Sequence, residues 1–253
     1  MKRVLTLLFI LLLALPGYAQ TNPNWEYYRT TRWKAKSGQA DDFKKAAAKK
    51  TQMFNNSPEN AIVTYQIMTG PDQGMFERVQ VARTLDNLYN ADNTKELDYW
   101  AKNVTQFAEN PEGSKIWWRI KNWSANWEEG GTPSKFMNVQ ILNIKAANTS
   151  DFRRYMHRRM AILKENSSRK IAVFKISSGS QLGEFRIITF FDDPMKAMGE
   201  WKSEDFDFED AYNEKYGFNA YMTDVDLYTK SFEIYGNLVE THKLVPEMSF
   251  MGN

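Results

Sequence analysis

Cysteine is absent from this chain of 253 residues, and histidine occurs only twice. No disulfide can form, so the fold must rest on its packed core. Thiol nucleophiles, thiolate metal sites and lipid-modified cysteines are excluded with it. The two histidines, His157 and His242, leave little material for a zinc centre or a Ser–His pair. A G-x-S-x-G nucleophile elbow is also missing. The stretches Gly70–Gly74 and Gly179–Gly183 lack the Gly-Lys-Ser/Thr ending of a phosphate loop. An acidic run, Glu204, Asp205, Asp207, Glu209 and Asp210, lacks the glycine and the bidentate-Glu spacing of a calcium loop. It reads as a solvated helix face, and neither a metal nor a cofactor is expected.

An excess of charge is lacking too. Lys+Arg number 33 against 31 Asp+Glu, and the two surplus cations are matched by Lys2 and Arg3 at the extreme N-terminus. These precede an apolar run, Val4–Leu15, that is short of the ~20 residues a membrane-spanning helix needs. Pro16-Gly17-Tyr18-Ala19 follows with small residues where a signal peptidase reads. Residues 1–19 are therefore expected to be a secretory leader, with export to the periplasm or extracellular space and no membrane association after cleavage. The remaining chain is neutral, which offers no general attraction to nucleic acid.

What the chain does have is an internal repeat. Lys36–Phe76 falls without a gap on Lys145–Phe185, with eight identities in 41 positions: Lys36/Lys145, Asp42/Asp151, Phe43/Phe152, Ile62/Ile171, Ile67/Ile176, Gly70/Gly179, Gly74/Gly183 and Phe76/Phe185. Average residue usage would give roughly two or three by chance. Lys44, Lys45, Lys49 and Lys50 also keep their charge in Arg153, Arg154, Arg158 and Arg159. A repeat of this length has to be recognised before the fold is assigned.

Hydrophobic periodicity supplies the elements. A strand is expected over 27–36, a helix from Asp41 or Asp42 to Asn55, and a hairpin of 61–69 and 75–83 about the Gly70–Gly74 turn. A helix over 92–109, with Leu97, Trp100, Ala101, Val104 and Phe107 as its buried stripe, leads to a Trp-rich strand over 116–127. The second copy reads as strand 136–146, helix 150–165, strands 170–177 and 184–191, an uneven helical region to about Lys215, and a last strand over 221–235. The domain plan is thus residues 20–129, a linker at 130–135, residues 136–235, and a C-terminal arm at 236–253.

The order βαββαβ is the ferredoxin-like split motif, with both helices on one face of an antiparallel sheet. Its other face must be covered. In the second copy both parities of the first strand are apolar: Val139 and Ile141 on one side, Phe136, Leu142 and Ile144 on the other. The simplest cover is the other copy. The expected fold class is α+β, two tandem ferredoxin-like repeats packed sheet to sheet. This arrangement resembles the dimeric α+β barrel superfamily, fused into one chain. Its relatives include antibiotic-biosynthesis monooxygenase-like, stress-responsive barrel, EthD-like and NIPSNAP-like proteins.

The resemblance implies two chemistries. Fused barrels of the chlorite dismutase-like kind bind haem through a histidine in the second half, which directs attention to His157. Cofactor-free oxygenases of the superfamily use Asn, Trp and His in a cavity. From the residues themselves, the candidate site is an aromatic-lined cavity. Tyr65 and Phe174 occupy matching positions in the two copies, and Trp33, Trp118 and Trp123 could join them. The expected function is an exported, non-catalytic protein that binds a small apolar or aromatic ligand or makes protein contacts. The alternative is a cofactor-free or haem-dependent oxygenase-like enzyme.

Overall fold

The computed structural model describes residues 25–82, 84–127, 132–197 and 206–252. The expected leader, part of the linker, and Glu204 and Asp205 lie outside those residues. The first half contains β1 (Trp25–Ala35), α1 (Ala40–Phe54), β2 (Ile62–Ile67), β3 (Phe76–Ala82), α2 (Leu85–Tyr89), α3 (Thr94–Asn103), β4 (Ala108–Glu109) and β5 (Ser114–Ile120). The second contains β6 (Phe136–Ile144), α4 (Thr149–Asn166), β7 (Lys170–Ser178), β8 (Glu184–Phe191), α5 (Pro194–Ala197), α6 (Phe208–Tyr216), α7 (Ala220–Lys230) and β9 (Phe232–Leu244).

The strands run β3-β2-β9-β6-β8-β7-β5-β1, and β1 pairs back onto β3. Every pairing is antiparallel. The result is a closed barrel, with β4 added outside it on β1. Within each half the strands follow the ferredoxin order, β5-β1-β3-β2 and β9-β6-β8-β7. Two seams join the halves. At one, β2 meets β9 through Tyr65↔Leu244 and Ile67↔His242; at the other, β5 meets β7 through Trp117↔Ile176. Closure leaves no unpaired sheet edge, so neither half could be finished without the other.

The repeat explains the helix layers. Phe43 on α1 sits 5.3 Å from Phe76 on β3, and their counterparts Phe152 on α4 and Phe185 on β8 sit 4.7 Å apart. All four are buried. The two turns match as well. Gly70 and Gly179 have φ of +96° and +90°, a conformation that L side chains resist. At Gly179 an added Cβ would also lie 2.4 Å from the Ser114 carbonyl oxygen.

Three expectations about elements fail. The stretch read as the last strand, 221–235, is mostly α7, whose Tyr221, Val225 and Tyr228 all pack on the half-two core. Their spacing is helical, and aromatic and β-branched content misled the reading. The C-terminal arm is the long strand β9, followed by a 3-10 turn, Pro246–Met248, that buries Met248 completely. The second half therefore extends past 235. The 92–109 helix stops at Asn103, and Leu97, expected in its buried stripe, is 65 % exposed. None of the described helices is long and apolar enough to cross a membrane.

Candidate functional site

The expected aromatic site is dispersed. Tyr65 and Phe174 do face the barrel interior together with Tyr28, Trp117, Val139 and Ile188. Phe174 meets the Tyr28 ring edge-on at 5.1 Å, and the Tyr65 hydroxyl donates to the Ser134 carbonyl at 3.2 Å. Trp33 lies on the opposite side of β1, in the helix layer of half one, 4.8 Å from Trp100. Trp123 is buried in the helix layer of half two among Phe152 and Phe185. Trp118 points to that same layer, with Lys175 Nζ 5.9 Å from its ring. His157 is exposed on α4, its ring 6.1 Å from that of Trp123. These six residues do not share a cavity.

The interior holds a different group, built from inward-facing positions on four strands. Arg32 on β1 donates from Nε to Glu77 Oε2 at 3.0 Å and from Nη1 and Nη2 to the two Glu240 oxygens at 2.9 and 2.6 Å. Arg186 on β8 forms a two-pronged pair with Glu77, both contacts at 2.9 Å. His242 Nε2 lies 2.9 Å from Glu240 Oε2. Asp72, in the β2–β3 turn, closes over the group by pairing with Arg32. Glu77, Glu240 and His242 are wholly buried and Arg32 and Arg186 nearly so. The Arg186 guanidinium lies 4.5 Å over the Trp117 ring, whose Nε1 donates to Thr30 at 2.9 Å. At the far end Arg119 pairs with Glu26 at 2.9 Å, and the Tyr28 hydroxyl donates to the same carboxylate.

The electrostatics follow from burial against pairing. Burial alone would push the Glu77 carboxyl up, but the charges of Arg186, Arg32 and His242 outweigh it and hold the group well below the usual carboxylate range. Glu240 is also held low: burial opposes ionisation, and the hydrogen bonds from His242 and Arg32 prevail. Two nitrogens in this group stay without a hydrogen-bond partner, His242 Nδ1 and Arg186 Nε. With Nε2 turned to Glu240, Nδ1 is left to act on something else.

None of these five residues was singled out in the sequence, yet two signals were present. Arg186 interrupts the apolar run of β8, and Glu77 follows Phe76 directly. Carrying the repeat one position past Phe76/Phe185 aligns Glu77 with Arg186, opposite charges at one place. His242 carried less weight than His157 because it falls in the stretch expected to be a C-terminal arm.

Two hollows, about 250 Å³ beside Lys44, Gln66 and Pro246 and about 160 Å³ beside Thr149, Lys175 and Leu182, open on the outside of the barrel, and neither is lined by a histidine. Both are smaller than the roughly 300 Å³ at which ligand pockets begin. His157 lies open on a helix surface, and His242 is sealed inside with one nitrogen committed to Glu240. No group of three or more His, Asp or Glu among the described residues is arranged to hold a metal ion.

No family model matches the sequence, and no curated protein does either. Solved structures do match the fold. A monooxygenase-like protein from Fusobacterium nucleatum superposes with a TM-score of 0.56 at 10% identity, covering 87% of this chain and 92% of its own. A second, from Lactobacillus acidophilus, gives 0.53 at 10% identity over 91% and 100%. A chlorite dismutase from Candidatus Nitrospira defluvii gives 0.52 at 10% identity over 90% and 93%. An anthrone oxidase-like protein gives 0.51 at 10% identity over 87% and 91%. The fold is that of the dimeric α+β barrel. The comparison also corrects the expectation of a non-catalytic binding or interaction protein. The neighbours themselves are described as monooxygenase-like, oxidase-like and chlorite dismutase proteins.

Proposed function

We propose that the chain is an oxygenase-like enzyme of the dimeric α+β barrel superfamily that works without haem, with the Glu240–His242 pair as the base that takes a proton from its substrate. One observation carries the reading: the His242 ring is fixed through Nε2 to a buried carboxylate at 2.9 Å, and its Nδ1 has no partner in the protein. A carboxylate behind an imidazole holds the tautomer and stabilises the imidazolium that forms on proton transfer. Arg32, bound to both Glu240 oxygens, keeps that carboxylate in place. Tyr28, Tyr65, Trp117 and Phe174 pack in the same interior, and a small aromatic substrate with a weakly acidic C–H or O–H would reach Nδ1 by parting these rings. Removing that proton leaves an electron-rich anion that dioxygen can oxidise. The leader expected at residues 1–19 motivates the further proposal that this takes place outside the cytoplasm.

The test is oxygen uptake by the purified protein with anthrone and a panel of phenols. Anthrone is a fitting probe because its bridging C–H is acidic, and one dioxygen converts it to anthraquinone and water. His242→Gln should lower kcat by about 10²-fold or more, with the far-ultraviolet circular dichroism unchanged. Glu240→Gln should fall in the same direction by less. Uptake that survives His242→Gln in a folded protein, or no uptake by the wild type with any member of the panel, would sink the reading.

A further inference from the structure

A second buried charged group lies outside the barrel, between α1, α3 and β3. Lys50 and Arg78 are 3 % and 5 % exposed. Among the described residues, Glu96 is the one carboxylate that pairs with either, and it takes Lys50. Lys50 also donates to Asn55 Oδ1 at 2.7 Å. Arg78 uses Nη2 on Thr51 Oγ1 at 2.8 Å and lies 5.0 Å over the Trp100 ring. Lys50 Nζ is 5.6 Å from that same ring. Two buried donors of this stacked set have no partner: Arg78 Nη1 and Trp100 Nε1.

The sum is two buried cations facing one carboxylate, with two spare N–H groups among them. A buried charge without a counter-charge is strongly disfavoured, and a buried donor without an acceptor loses its hydration for nothing. The strain registers in both cations. Burial holds Arg78 down to about 10, and burial with the Arg78 charge holds Lys50 down to about 8 despite Glu96. The second half is built differently at the matching positions. There Ile187 stands where half one has Arg78, and Met160 stands where it has Thr51. Its helix arginines Arg154 and Arg158 are both held by the buried Asp224, at 2.9 and 2.8 Å.

We propose that the space between α1, α3 and β3 is a binding site for a small oxyanion group, phosphate, sulfate or a single carboxylate, which accepts from Arg78 Nη1 and Trp100 Nε1 and neutralises the surplus charge. The site lies outside the barrel and is independent of the proposed base. Phosphate, sulfate and acetate, each replacing chloride at constant ionic strength, are the probes. Thermal unfolding of the mature protein should rise with one of them and saturate. The Trp100 indole N–H resonance, assigned by its loss in Trp100→Phe, should shift along the same curve. A response to phosphate or sulfate identifies a tetrahedral anion, and a response to acetate alone a carboxylate; either supports the site. Trp100→Phe keeps the stacking and should weaken binding roughly tenfold, and Arg78→Met should abolish it. An equal response in wild type and Trp100→Phe, or no saturable shift with any of the three anions, overturns the proposal. Should Arg78→Met fail to fold, the Trp100 measurements decide alone.

Discussion

The two halves kept their apolar and glycine positions and the basic positions of their first helices, and parted at the charged positions inside the barrel. Phe43 and Phe76 pack as Phe152 and Phe185 do, and Gly70 turns the chain as Gly179 does. Glu77 and Arg186 are also equivalent, 109 residues apart, yet they carry opposite charges and bind each other. In a symmetric homodimer a residue on the two-fold axis meets its own copy, and two buried like charges there would repel. Fusion into one chain removes that constraint. Arg32, beside Glu77, corresponds to Ile141, beside Arg186, so the polarity belongs to one end of the barrel. Apolar identity preserves the architecture of such a barrel, and charge divergence gives it a site.

If the divergence at the axis holds the interior together, the largest loss should come from Arg186→Met. It leaves Glu77 with Arg32 as its remaining ionic partner, and breaking a buried pair costs about 3–5 kcal/mol, measurable by urea denaturation. The exchange Glu77→Arg with Arg186→Glu should not restore stability, because it sets two arginines side by side at 32 and 77. Full recovery would mean that the halves are interchangeable after all. The same pair predicts an acid limb. Glu77 and Glu240 are held below their unfolded values of about 4.3. Their contribution is complete above that pH and is lost as pH falls through the folded values. Glu77→Gln should flatten the fall in stability below about pH 4; an unchanged slope would place the acid sensitivity elsewhere.

The turns should be less alike than their φ angles. Gly179→Ala meets backbone at 2.4 Å, whereas Gly70→Ala meets the Glu240 side chain at 3.2 Å. The first should cost about 2–3 kcal/mol and the second about 1. Equal losses in thermal unfolding would show that positive φ, rather than crowding, sets both. The smallest effect is expected at Lys50, whose folded pKa of about 8 lies below its unfolded value. Between about pH 8 and 10.4 the unfolded chain holds more protons, so stability rises with pH across that window. Lys50→Met should remove the rise. A variant that keeps the rise would assign it to another group.

Most of the barrel was legible because its frame is apolar. The ungapped repeat brought out the paired phenylalanines and glycines, and two apolar parities in β6 implied a cover on both faces. β9 escaped the same logic. Its inward residues include Glu240 and His242, both fully buried, so a strand at the centre of the fold reads as a polar tail. Tyr65 and Phe174 were found because aromatic side chains follow the strand alternation. Trp33 and Trp118 obey it too, but on the outer face, and Trp123 lies in the 3-10 turn Lys121–Trp123 after β5; all three pack in the helix layers.

By itself the sequence determined the duplication, the alternation of each strand and the need for two halves to cover one another. These depend on local period and on side-chain hydrophobicity, which each segment carries on its own. Only the tertiary structure decided which charges meet. Arg32, Glu77, Arg186, Glu240 and His242 come from both halves and converge only when the barrel closes and its registers are set. A charged side chain in a strand looks the same whether water or a buried counter-charge lies opposite, and strand pairing between distant segments chooses between them.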